Sequence, residues 1–165
     1  MKISSINQVF RTLLLGHDSG LRALTGGFSR ITQTATSEQL AICLEDYLDQ
    51  AVEQLRDSER LLREMKLKPT GTVDTVIERL AADAQAVSDS DVPPEVLDLL
   101  LARAFLRIQH TQIASLSVLQ ALAEELGEAE VRRFVRQAME GEINSEEALS
   151  KLMETSLVAE VAEGD

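Results

Sequence analysis

With 165 residues, 44% of them hydrophobic but only 3% aromatic, the chain is long enough for one folded domain with an aliphatic core, as in helices packed on helices. The formal net charge of −12 excludes a general affinity for nucleic acid phosphates or anionic membranes, because like charges repel. The single cysteine, Cys43, excludes an internal disulfide and a cysteine-rich zinc site.

Two long helices are predicted in the first part of the chain. Apolar residues recur at steps of three and four over residues 5–33, which is the period of an amphipathic helix. The second helix is predicted to begin at Thr36, which forms a capping box with Gln39, and to end near Lys66. Its apolar stripe is read as Leu40, Leu44, Leu48, Val52, Leu55 and Leu62.

A connection and three further segments follow. The proline and glycine of residues 69–71 interrupt the helical pattern, and a shorter helix is predicted over residues 73–87. The third long helix is predicted over residues 93–127, with proline in its first turn and Gly127 just past its end. The fourth long helix is predicted over residues 128–157, and residues 158–165 are expected to form an acidic, disordered tail.

The order of these elements indicates a fold class. Two long helices, one short helix and two long helices follow each other, and the connection between the second and third long helices can cross the bundle. One such crossover is typical of ferritin-like four-helix bundles. The sequence therefore predicts a single all-α, ferritin-like domain over residues 1–157, with one additional short helix in the crossover.

Partners and location are predicted from the surface pattern. The third long helix carries apolar side chains beside its main stripe. The short helix would cover part of them and a second copy of the chain the rest, so a homodimer is expected. These side chains are Leu97, Leu100, Ala104, Val118 and Leu122. The apolar run at residues 13–15 is too short for an export signal, and no apolar stretch reaches about 18 residues, so we expect a cytoplasmic protein without a membrane partner.

Four polar side chains interrupt the apolar stripes of the last two long helices. Gln109 and Gln112 share a stripe with aliphatic and aromatic residues, and Glu142 and Glu146 do so on the next helix. Buried polar side chains destabilise a core unless they meet partners. In a helical bundle such positions are where a metal centre is built. His17 lies on the corresponding stripe of the first helix.

Several segments resemble the YciE/YciF-type ferritin-like family, whose biological role is poorly defined. The resemblance extends over residues 3–157. In its most specific segment this chain reads Gln-His-Thr-Gln-Ile-Ala-Ser at residues 109–115, where the family typically reads Glu-His-Tyr-Glu-Ile-Ala-Ser. The residues at 6–10, 36–40 and 119–127 also match. The resemblance implies a ferritin-like fold and a stress-associated role.

The resemblance also implies a di-iron centre, built from a Glu on the first long helix, Glu-x-x-His on the second, Glu on the third and a carboxylate pair on the fourth. In this chain those positions fall on Leu21, Asp49, Val52, Gln109, Gln112, Glu142 and Glu146. Leucine and valine bind no metal and glutamine carries no charge, so paired iron ions would lack neutralising carboxylates. We therefore expect a degenerate site with no metal or other cofactor and no catalytic residues.

Three interpretations of function follow. The first is a non-enzymatic, metal-deficient protein that acts as a stress-associated or interaction scaffold, in which the glutamine N–H groups donate to Glu142 and Glu146. The second is a metal-binding oxidase or peroxide-handling protein with an altered carboxylate site, where Glu142, Glu146 and His17 hold a single Mg²⁺, Ca²⁺ or Zn²⁺ ion. The third is a small-ligand binder in the bundle core, with room beside the glutamines left by Gly16 and Gly20.

Overall fold

A computed structural model describes residues 4–164, and these form an all-helical bundle. Helices α1, α2, α4 and α5 are the four long helices, and α3 lies in the crossover between α2 and α4, packed against α1 and α4. This confirms the predicted fold class. The helices are α1 (Ile6–Thr32), α2 (Glu38–Glu64), α3 (Thr75–Ser88), α4 (Pro94–Glu125), α5 (Ala129–Leu152) and α6 (Val158–Gly164), with a π-helical turn at Met153–Leu157. None of the helices in residues 4–164 combines the length and apolar character needed to cross a membrane.

The start of α2 differs from the prediction by one residue. Ser37, rather than Thr36, is the N-cap, and its side chain accepts a hydrogen bond from the backbone N–H of Leu40. Thr36 instead donates its backbone N–H and its hydroxyl to Asp98 of α4, at 2.8 and 2.7 Å, and the Ser37 N–H donates to the same carboxylate at 2.7 Å. The capping box was wrong because the acceptor that holds Thr36 lies 62 residues away in sequence.

The end of α4 is as predicted. Gly127 has a φ of 69°, a left-handed conformation that favours glycine. Its N–H donates to the carbonyl of Glu124, and the next N–H, of Glu128, donates to the carbonyl of Ala123. These bonds satisfy carbonyls of the last turn, which have no partner within the helix.

The last segment differs from the expected disordered tail over residues 158–165. Residues 158–164 form helix α6, which packs against α4. The π-helical turn before it places Leu157 in the core, fully buried. Tertiary packing, which the acidic composition does not reveal, therefore supports helix in this segment. Asp165, like Ile3 where the resemblance begins, lies outside the described residues.

The core consists of two hydrophobic clusters with a polar layer between them. One cluster includes Phe28, Leu44, Tyr47, Phe105 and Leu149. The other includes Phe10, Leu62, Leu116, Leu119 and Val135. On each long helix the residues between the two clusters include buried polar side chains. We call these the polar layer, and its buried members are His17, Asp18, Gln54, Ser58, Gln109, Gln112 and Glu142.

The contact between Asp98 and the α1–α2 connection generates a prediction. Asp98 is 1% exposed and accepts three hydrogen bonds, and bonds to a buried carboxylate are stronger than neutral ones. We expect Asp98→Asn to lower the free energy of unfolding by about 2 kcal/mol, measured by urea denaturation. The exposed Asp91, just before α4, provides the matched control, and Asp91→Asn should leave stability unchanged. Equal effects of the two substitutions would contradict this role of Asp98.

Candidate functional site

Each long helix presents two residues to the centre of the polar layer. On α4 they are Gln109 and Gln112, three residues apart and both buried. A spacing of three or four residues places two side chains on one face of a helix. The pairs on the other helices are His17 and Leu21 of α1, Ala51 and Gln54 of α2, and Glu142 and Ser145 of α5.

At the centre of the layer, two hydrogen bonds connect neighbouring helices. Gln54 of α2 donates from Nε2 to Oε1 of Glu142 at 3.4 Å, and Gln109 of α4 donates from Nε2 to Oγ of Ser145 at 2.8 Å. The remaining oxygen of each donor amide, and both polar atoms of Gln112, have no partner among the described side chains. Each such buried group costs about 1–3 kcal/mol. The layer is therefore polar but incompletely bonded.

Glu142 is the only carboxylate that is both fully buried and at the centre of this layer. Burial raises its pKa from 4.5 to about 8, and the adjacent Gln54 and Tyr47 side chains offset this rise only in part. The pKa of the buried Tyr47 phenol is raised by desolvation and by the neighbouring Glu142. At neutral pH the Glu142 carboxyl group is therefore mostly protonated and uncharged.

His17 is buried, but its ring nitrogens form no hydrogen bond with Glu142 or Glu146. Desolvation lowers its pKa from 6.5 to about 4, although Gln112 and Asp18 act in the opposite direction. The ring packs edge-on against Phe134, with centroids 5.8 Å apart. The predicted ligand group of His17, Glu142 and Glu146 is not assembled. Within residues 4–164, no three His, Cys, Asp or Glu side chains are grouped so that they could hold a metal ion.

The structure corrects the positions assigned to α2. Asp49 is exposed and Val52 is only half-buried, whereas Ala51 and Gln54 are buried. The prediction was wrong here because it placed the inward face of α2 along its aliphatic residues. A tyrosine and three small or polar residues occupy that face instead, namely Tyr47, Ala51, Gln54 and Ser58.

The structure also corrects the position of Glu146. Its side chain is 20% exposed and lies near His110 at the surface, with 3.5 Å between His110 Nε2 and Glu146 Oε1. It accepts a hydrogen bond from Ser150 at 2.7 Å. Of the two glutamines predicted to donate to Glu142 and Glu146, Gln109 donates to Ser145 instead, and Gln112 has no partner among the described side chains. The donor to Glu142 is Gln54. Ser145 was missed because a serine in mid-helix carries no signal of its own.

The corrected positions permit a test of whether a di-iron centre fits. Ferritin-like carboxylate proteins use one Glu from each of two helices and Glu-x-x-His from each of the other two. Ala51 with Gln54, and Glu142 with Ser145, have that three-residue spacing, so glutamine and serine stand at the histidine positions. Leu21 is fully buried on α1. With one carboxyl group in the set, the residues present do not fit a di-iron centre.

A second buried carboxylate, Asp18, lies at the edge of the layer and has partners. It accepts hydrogen bonds from Ser58 Oγ and Arg22 Nε, both at 2.9 Å. Arg22 also pairs with Glu59 at 2.8 Å. This network joins α1 to α2, and the four-residue spacing of Asp18 and Arg22 is the sequence signal that could have identified it.

An open groove between α2 and α5 leads from the surface toward the layer. It has a volume of about 280 Å³, and its lining includes Gln54, Ala138 and Gly141. A Cβ atom at Gly141 would lie 2.8 Å from the amide carbon of Gln50, so a larger residue there would require the end of the Gln50 side chain to move. The third interpretation required room beside the glutamines at Gly16 and Gly20. Gly20 packs against Ile77 of α3 and leaves none, whereas a Cβ atom at Gly16 would have no contact within 4 Å.

Residues 23–162 match the family described as a domain of unknown function (DUF892). The chain belongs to this family. It is 27% identical to protein YciF of Escherichia coli (strain K12) over 143 residues, which is 86% of this chain and 86% of that protein. The predicted resemblance to the YciE/YciF-type proteins is thereby confirmed.

Solved structures show the same helical bundle. The crystal structure of the E. coli stress protein YciF matches with a TM-score of 0.85 and 26% identity, over 92% of this chain and 96% of that one. YcfI of Rhodopseudomonas palustris matches with a TM-score of 0.84 and 21% identity, over 90% of this chain and 95% of that one. The second likeness shows the shared fold alone.

The raised pKa of Glu142 predicts how stability depends on pH. Between pH 4.5 and about 8, the folded protein keeps the proton on Glu142 and the unfolded chain has released it. The free energy of unfolding is therefore highest below pH 4.5 and falls as pH rises through about 8. We expect Glu142→Gln to remove this loss, which is on the order of a few kcal/mol, because the amide keeps the shape without titrating. Urea denaturation on both sides of this window measures it.

The control for this experiment is Glu147→Gln. Glu147 is exposed on the same helix, so the same substitution there removes an exposed carboxyl group without affecting the layer. The Glu147→Gln variant should keep the pH dependence of the wild-type protein. If Glu142→Gln also keeps it, burial of the carboxyl group is not the source of that dependence.

Proposed function

We propose that this protein is a non-enzymatic, metal-deficient member of the DUF892 family that acts as a stress-associated interaction scaffold. One observation carries the proposal: the centre of the polar layer contains one fully buried carboxyl group, Glu142, whose pKa is raised to about 8, while the buried Asp18 at the edge of the layer is bonded to Ser58 and Arg22. A neutral carboxyl group is a poor ligand for a cation. The side chains facing it are amides, a hydroxyl and apolar groups.

Electrostatics supports the same proposal. Two adjacent iron ions bring at least four positive charges into a dry interior, and several carboxylates must neutralise them. Gln109 and Gln112 keep nearly the shape of glutamates but contribute no negative charge. Leu21 contributes neither a donor atom nor a charge. The layer therefore retains the size and position of such a site without its charge.

The relatives supply the physiological part of the proposal. E. coli YciF is described as a stress protein, and at 27% identity a related role is a proposal for this chain. We propose further that the protein is cytoplasmic and homodimeric. Apolar side chains on the outer surfaces of the long helices support a dimer, since Val118 of α4 is 51% exposed and Ile143 of α5 is 38% exposed.

Metal analysis tests the central claim. Protein produced with added iron and purified without chelators should contain fewer than about 0.1 metal ions per chain, measured by elemental analysis. A stoichiometric metal that is lost on Glu142→Ala would contradict the proposal and favour the metal-dependent oxidase or peroxide-handling alternative.

A reconstructed site provides the positive control. The layer should gain iron once carboxylates and imidazoles replace the side chains that face it. The substitutions are Leu21→Glu, Ala51→Glu, Gln54→His, Gln109→Glu and Ser145→His. A matched variant carries Val52→His in place of Gln54→His, and because Val52 lies off the inward face it should bind less iron. Equal iron contents in two folded variants would show that the assigned inward positions are wrong.

A small-ligand binder is the second candidate function, and the groove between α2 and α5 favours it. Gln54 lines this groove and is 7% exposed, and its Oε1 atom has no partner among the described side chains. A ligand entering there would reach the edge of the polar layer. Native mass spectrometry distinguishes the candidates, because a bound molecule that is lost on Gly141→Leu favours the binder.

A further inference from the structure

The first half of α5 carries an unusual concentration of positive charge. The chain has 16 Lys and Arg against 28 Asp and Glu, yet Arg132, Arg133 and Arg136 lie within five consecutive residues. They line an open groove with a volume of about 380 Å³, which Ala129, Gln137 and Glu140 complete. We call this the arginine groove. None of its residues belongs to the polar layer.

The positive charge in the arginine groove is only partly compensated within the protein. Arg133 pairs with Glu130. Arg132 and Arg136 form no ion pair with any carboxylate whose side chain the structure describes. The Nε atom of Arg132 is buried and has no acceptor among the described residues. Because a buried donor without a partner is costly, the Arg132 guanidinium group has hydrogen-bonding capacity that the described side chains do not satisfy.

The local backbone adds to the positive potential. Ala129 is the first residue of α5, and no side chain caps the N-terminus of this helix. Backbone N–H groups of a first helical turn have no acceptors within the helix, and the helix dipole is positive at this end. Ala129 lines the groove together with the three arginines, so guanidinium groups and a helix N-terminus, both of which favour an anion, lie at one groove. Glu128 at the N-cap and Glu130 in the first turn oppose part of this positive potential.

The geometry limits the kind of anion. Two or more guanidinium groups match a phosphate dianion, which accepts paired hydrogen bonds from each. Glu140 at the edge of the groove and the net charge of −12 oppose a long polyanion such as a nucleic acid. We propose that the arginine groove binds a small phosphate-bearing ligand, with Arg132 and Arg136 as its principal partners.

Calorimetry on the full-length protein in a low-salt chloride buffer tests this site. The probes are inorganic phosphate and phenyl phosphate, and we expect saturable binding with a Kd of about 1 mM or lower for at least one of them. Binding of both probes identifies the phosphate group itself as the ligand. Binding of phenyl phosphate alone identifies a phosphorylated organic molecule. Absence of saturable binding of either probe up to about 10 mM overturns the proposal.

Variants and chemical shifts localise the binding. We expect Arg132→Gln with Arg136→Gln to raise the Kd by about 10-fold or more. The control is Arg56→Gln, which removes an exposed arginine from α2 and should leave the Kd unchanged. In the wild-type protein, phosphate should shift the backbone amide resonances of residues 129–132. An equal loss of affinity in the control, or shifts confined to other helices, would show that the groove is not the site.

Discussion

The burial of Glu142 is the main physical constraint on the charge and bonding at the centre of this bundle. A carboxyl group that is fully enclosed by four helices can remain ionised only if enough positive charge or enough hydrogen-bond donors surround it. Here it receives one long hydrogen bond from Gln54 and lies beside the Tyr47 phenol. It therefore takes up a proton, and the layer around it becomes a neutral arrangement of amide, hydroxyl and carboxyl groups. The chemistry available to the core follows from this neutrality.

The two hydrophobic clusters explain how the fold tolerates such a layer. Each large buried side chain contributes about 1.5–3 kcal/mol through removal from water, which is comparable to the cost of one unpaired polar group. The clusters on either side of the layer contain many such side chains from all four long helices. The packing of these clusters holds the helices in position, so the layer can lose bonding partners without loss of the fold.

The neighbourhood of the layer is better bonded than its centre. Asp18 has two donors and Asp98 has three, and each links separate helices. Asp98 lies where the α1–α2 connection meets α4, and Asp18 lies at the edge of the layer. Neighbouring hydrogen-bond donors satisfy both carboxylates. Among the buried carboxyl groups, Glu142 at the centre therefore has the fewest hydrogen-bond donors. In the proposed scaffold, the framework of a metal site is retained while its charges are replaced.

The sequence by itself determined most of the fold. Apolar residues at helical spacing give the four long helices and the short one, because a helix must bury one face, and the glycine after α4 marks its end through its left-handed conformation. The same pattern identified Gln109, Gln112 and Glu142 as polar residues inside the core. These features depend on local spacing, so no knowledge of distant residues was needed.

The tertiary structure alone decided which side chains meet. On α2, aliphatic residues lie beside the inward face as well as on it, so spacing could not separate Val52 from Ala51 and Gln54. On α5, the hydrogen bond from Gln109 selects Ser145, and Glu146 lies at the surface. A rotation of a helix by one residue, about 100°, exchanges an inward position for an outward one. Only the packing of neighbouring helices determines that rotation, because the spacing of apolar residues along the sequence is compatible with either rotation.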